Sequence, residues 1–111
     1  MLRRLFDEFG RKEADWLPYW KNAEYVSVQP EGAYASLYRH PRNGVLLVVS
    51  NLTEGEKTVV LNLNLQKLGL PAQVSACDAL SQEAVTCSGG RLDIALPYLG
   101  WRVVWVKPSI R

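Results

Sequence analysis

The sequence predicts an all-β fold, a two-sheet Greek-key β-sandwich of seven or eight strands carrying an amphipathic helix at its N-terminus. Three observations point there. From about residue 23 onward apolar residues recur with period 2, in short runs rich in Val, Leu, Tyr and Thr. Turn-forming clusters of Gly, Pro, Asn and Ser separate those runs at short intervals. A chain of 111 residues, 48% of them hydrophobic, fits one packed domain and excludes disorder as its main state.

The elements follow in order. Over residues 2–17, Leu2, Leu5, Phe6, Phe9 and Trp16 keep helical spacing on one side. Asp7–Arg11 and Glu8–Lys12 are i, i+4 ion pairs in the favourable order. Leu17-Pro18 stops the helix, because the residue before proline avoids the α region. An aromatic junction, Pro18-Tyr19-Trp20-Lys21-Asn22, completes a linker over 1–22, and 23–111 form the sandwich. Strands are expected near 24–29, 34–39, 44–50, 56–63, 73–78, 83–88, 91–96 and 101–107. Asn43-Gly44 and Gly89-Gly90 are tight-turn signals. Asn64 to Pro71 reads as one helical turn, closed by Gly69 and stopped by Pro71.

Two strands break the alternation. Val45 to Val49 is apolar at every position, and Trp101 to Val106 nearly so. A sandwich strand normally shows one face to water. Strands apolar on both faces need a second cover, supplied by the N-terminal helix or by a neighbouring domain or subunit.

Chemistry is sparse. The 13 Lys and Arg against 11 Asp and Glu leave a net charge of +2, with no basic stripe for nucleic acid and no membrane signal. Asp7, Glu8 and Gly10 interrupt any secretory leader, and no run reaches the roughly 18 apolar residues of a membrane span. The single histidine, His40, lies between Arg39 and the Pro41-Arg42 turn and reads as a solvated turn residue. One His and two Cys make no metal site, and no cofactor motif is present. Cys77 and Cys87 stand either as hairpin partners or, the favoured reading, as two small apolar residues. Asp78 and Glu83 flank one turn, where capping by Asp78 outweighs a catalytic carboxylate pair. Asn51-Leu52-Thr53 matches a glycosylation sequon by pattern only. No catalytic residue is assigned.

The four Trp and five Tyr therefore hold the candidates. Tyr34 and Tyr38 share a strand face with Ser36 and, with Tyr19 and Trp20, form the candidate carbohydrate-stacking set. Leu5, Phe9, Trp16, Trp20, Trp101 and Trp105 form the candidate interdomain-packing set.

Residues 45–52 (VLLVVSNL) with 58–63 (TVVLNL) resemble a hairpin of the all-β C-terminal domains that follow the catalytic barrel in α-amylase-type and related glycoside hydrolases. Cys77-Asp78-Ala79-Leu80 is similar to a turn of those domains, and 92–97 (LDIALP) with 101–106 (WRVVWV) to their closing strand pair. Phe6 to Gly10 and Trp16 to Asn22 look like the junction in large, poorly characterised bacterial glycoside hydrolases. The resemblance implies a non-catalytic accessory domain that packs on and stabilises a catalytic domain, the chain being a piece of a longer protein. Catalytic acids of such enzymes sit on the barrel, so none carries over.

The partner so implied is the catalytic domain of the same parent chain. The alternatives are a carbohydrate-binding module and a self-associating domain whose partner is a second copy. Nucleic acid and membrane are not expected partners. The sequence leaves location open, a secreted or periplasmic parent included.

Overall fold

The computed structural model describes residues 9–108, apart from 11, 13, 30, 41, 42, 54, 72 and 86. It is a sandwich of two antiparallel sheets. The strands are β1 (Asp15–Leu17), β2 (Val26–Gln29), β3 (Ala33–His40), β4 (Gly44–Asn51), β5 (Lys57–Leu63), β6 (Val74–Asp78), β7 (Ala84–Val85), β8 (Cys87–Ser88), β9 (Arg91–Leu96) and β10 (Trp101–Pro108). A single helical turn, α1 (Leu65–Leu68), joins β5 to β6. The large sheet has the order β1–β3–β4–β10–β6–β7 and the small sheet β2–β5–β9–β8.

Alternation builds the core. Alternate residues of β5 and β9 (Val59, Leu61 and Leu63; Leu92, Ile94 and Leu96) point inward from the small sheet. They meet Ala35, Leu37, Val45, Leu47, Val49, Val104 and Val106 from the large one. Each Val, Leu or Ile side chain so buried contributes about 1.5–3 kcal/mol. The turns behave as their residues dictate. Gly89 and Gly90 both take positive φ (58° and 90°), as a two-residue hairpin between Ser88 and Arg91 requires. Asn64 caps α1 by accepting from the Lys67 N–H, and Gly69 closes it in the left-handed region.

Three expectations need correction. The helix over 2–17 does not reach its C-terminal end: Gly10 has φ +88°, which a right-handed helix cannot carry, and Asp15–Leu17 is an edge strand. Residues 1–8, 11 and 13, where the rest of that helix would fall, lie outside the described residues. The run 83–88 is two strands, not one. β7 pairs with β6, then β8 joins the small sheet. Cys77 and Cys87 therefore belong to different sheets, and both are free. Third, His40 is not solvated. It is 4% exposed, its Nδ1 accepts from the Asn43 N–H at 3.0 Å, and its ring meets Phe9 edge-on at 5.7 Å.

Candidate functional site

Pairing register sorts the aromatic residues. On the outer face of the large sheet, Trp16, Tyr38, Leu46, Trp105 and Cys77 stand in one cross-strand row. Ser36, Val48 and Val103 make the next row, and Tyr34, Ser50 and Trp101 the third. Period 2 puts all of them on the side opposite the core. Members of both sequence-derived sets, Tyr34 and Tyr38 of one and Trp16, Trp101 and Trp105 of the other, thus share one face.

The centre of that surface is covered from within the chain. Phe9 is fully buried, packed with Leu46 and Val103 and edge-on to Trp105 at 5.5 Å. This is how β4 and β10 stay apolar on both faces. Trp105 is half-buried, with its indole N–H donating to the Asn43 carbonyl at 2.8 Å and the Lys107 ammonium 4.5 Å above its ring. The Asn43 amide in turn donates to the Phe9 carbonyl at 2.7 Å. Phe9 is consumed by this internal cluster. Leu5 lies outside the described residues.

The remainder is open. Trp101 is 53% exposed, and Trp16, Tyr19, Trp20, Tyr34 and Leu52 are exposed too. Tyr38 is half-buried beneath Trp16, the rings 4.6 Å apart. Two polar residues fix the junction. Asn22 is buried and its amide donates to the carbonyls of Ala35 (2.8 Å) and Leu17 (3.2 Å). The Tyr19 N–H donates to Ser36 Oγ at 3.0 Å. Tyr19 then leans on Tyr34 at 4.8 Å, with Trp20 edge-on to it at 5.0 Å. A groove of about 260 Å³ runs between Tyr19, Tyr34, Ser36, Val48, Ser50 and Leu52, with no charged group in its lining. Sequence reasoning missed Asn22 and Ser36, because their role is set by contacts 13 and 17 residues away.

The charged groups cluster elsewhere, in structural pairs. Arg39 donates to Asp15 at 2.8 Å, and that bond raises its pKa further above the ordinary guanidinium value. Arg102 holds Asp78 at 2.7 Å and Glu83 at 3.5 Å, so these two acids converge on a cation. Asp78 Oδ1 caps the turn by accepting from the N–H groups of Leu80 and Ser81, both at 2.9 Å. Burial opposes the Asp78 charge, yet those N–H groups and Arg102 outweigh it, and the carboxyl titrates below its ordinary range. Burial pushes the Cys87 thiol up. Among the described residues no group of three or more His, Cys, Asp or Glu side chains could hold a metal ion.

The sequon asparagine is fully buried. Asn51 Nδ2 donates to the carbonyls of Leu96 (2.9 Å), Gly55 (3.1 Å) and Pro97 (3.2 Å), while Oδ1 accepts from the N–H and the hydroxyl of Thr53. It clamps the β4–β5 turn to the β9–β10 connection and has no face left for a glycan.

The described site is thus an aromatic sheet face covered at its centre by Phe9, with Asp15, Glu24, Asp78, Glu83 and Asp93 held in ion pairs elsewhere. The chain was also compared with known families. The family described as glycoside hydrolase 123, C-terminal domain, matches residues 1–86, a span that takes in β1 to β7. No curated protein and no solved structure matches the chain, and the likeness to α-amylase-type domains has no counterpart in these comparisons. The chain belongs to the family of glycoside hydrolase 123 C-terminal domains.

Proposed function

We propose that this domain is a non-catalytic accessory module that packs the outer face of its large sheet against the catalytic domain of its parent enzyme and stabilises it. The observation that carries this reading is the face itself. β4 and β10 are apolar on both sides, Phe9 covers only their middle, and Trp16, Tyr34 and Trp101 remain exposed around it. Contiguous aromatic surface of this kind marks an interaction site. The rings favour packing over a glycan platform. Tyr19 is tilted 55° to Tyr34 and perpendicular to Trp20, so they pack on one another instead of lying in one plane. The non-catalytic reading is supported by five of the seven described acids, Asp15, Glu24, Asp78, Glu83 and Asp93, which lie in ion pairs.

Trp16→Ser with Trp101→Ser in the whole parent enzyme tests the reading. The isolated domain should stay folded and lose a few kcal/mol, about 2 per indole, since each is only half buried. In the whole enzyme the junction should become open to limited proteolysis and the two domains should unfold in separate calorimetric transitions. A junction equally protected in variant and wild type would refute it.

A further inference from the structure

The connection between β9 and β10 carries a conformation that its own sequence does not favour. Leu99 has φ +63°, in the left-handed region, where the other positive-φ residues described are glycines and Gln82. For a residue with a Cβ this conformation disfavours folding roughly five- to thirty-fold. Burial does not offset it, because the side chain is 60% exposed. The backbone is nonetheless fixed. The Leu99 N–H donates to the Asn51 carbonyl at 2.8 Å, the Gly100 N–H to the Pro97 carbonyl at 2.8 Å, and the Asn51 N–H to the Gly100 carbonyl at 3.0 Å. A rigid turn thus presents an exposed leucine next to an exposed tyrosine, Tyr98. Its neighbours continue the aromatic face: Trp101 opens β10, and Leu52 follows Asn51 at the end of β4.

We propose that the Tyr98–Leu99 turn is an anchor of the interface with the catalytic domain, extending the contact from the sheet face around the end of the sandwich. This rests on the packing reading above, and the occupant follows from continuity. The turn adjoins Trp101 and Leu52, exposed residues of the face assigned above to the catalytic domain. Strain held in an exposed apolar residue is retained where it positions a contact.

Leu99→Gly separates the two roles a leucine here can have. Glycine adopts the left-handed region without cost. The isolated domain carrying Leu99→Gly should therefore fold as well as wild type, or up to about fivefold better in its unfolding equilibrium. In the whole parent enzyme the same variant should weaken domain coupling at least tenfold, read as separated calorimetric transitions. Amide exchange at 98–101 should also quicken toward the rate of the isolated domain. Leu99→Asn, which tolerates the same backbone, should repeat both results. A variant that destabilises the isolated domain would make the leucine structural and overturn the proposal, as would unchanged coupling in the whole enzyme. If Trp16→Ser with Trp101→Ser uncouples the domains while Leu99→Gly does not, the packing reading stands and this anchor falls. If neither does, both fall.

Discussion

Replacing Asn51 should be among the most damaging single polar changes in the domain. Its side chain satisfies three carbonyls and receives two bonds from Thr53, all within a buried end of the sandwich. Counting about three net hydrogen bonds at roughly 1 kcal/mol each, Asn51→Ala costs about 3 kcal/mol. With an unfolding entropy of about 2.1 cal/mol/K per residue, that lowers the melting temperature by about 13 °C. Asn51→Asp is the sharper variant because it keeps shape and reverses the chemistry. A carboxylate would place an acceptor against the carbonyls of Leu96 and Pro97, so at pH 7 it should cost at least as much as alanine. Its folded-state pKa is raised above the unfolded value, so the penalty is fully present at neutral pH and fades as pH falls toward about 4. Thermal and urea unfolding of the three proteins at pH 7 and pH 4, each compared with wild type at the same pH, reads both effects. An Asp variant within about 1 kcal/mol of wild type at pH 7 would refute the clamp.

Asp78 works in the opposite direction: its depressed folded pKa adds stability above the ordinary carboxylate range, lost as pH falls through the folded value. Asp78→Asn should cost about 2 kcal/mol at pH 7 and flatten the acid limb of a stability profile between pH 2 and 6. Gly44→Ala should cost more than about 3 kcal/mol, since φ is +90° and a Cβ would land on the Val106 carbonyl oxygen; Gly55→Ala, at φ +99° in open space, should cost about 1 kcal/mol. Denaturant titration of the pair separates clash from backbone strain. Phe9→Ala removes a fully buried ring from the outer face and should cost about 3–4 kcal/mol, with a red shift of Trp emission as Trp105 becomes wetter.

What was legible in the sequence was local or periodic. β5 and β9 declare their inner faces by alternation, and the αL cap at Gly69 is written in Gly-x-Pro. The continuous apolar runs of β4 and β10 announced a covered outer face before any contact was known. Illegible features depend on partners distant in sequence. Asp15–Leu17 carries a helical pattern, yet Trp16 is placed by Tyr38 and Asp15 by Arg39, 22 and 24 residues on. His40 sits in an exposed-looking turn and is buried by Phe9. Asn51 looked like a chance sequon because its acceptors lie 45 and 46 residues away. Of the candidate face, the aromatic residues could be named individually, but only register shows that they share one side.

The place of β10 has a consequence for how the protein comes into being. The last described strand lies in the interior of the large sheet, hydrogen-bonded to β4 on one side and β6 on the other. During synthesis the sheet is split in two until that strand has left the ribosome, with the Val- and Leu-rich edge of β4 and the edge of β6 unpaired meanwhile. The domain therefore assembles after translation of its sequence, not progressively with it. A chain interrupted before β10 would display those open edges to proteases and chaperones.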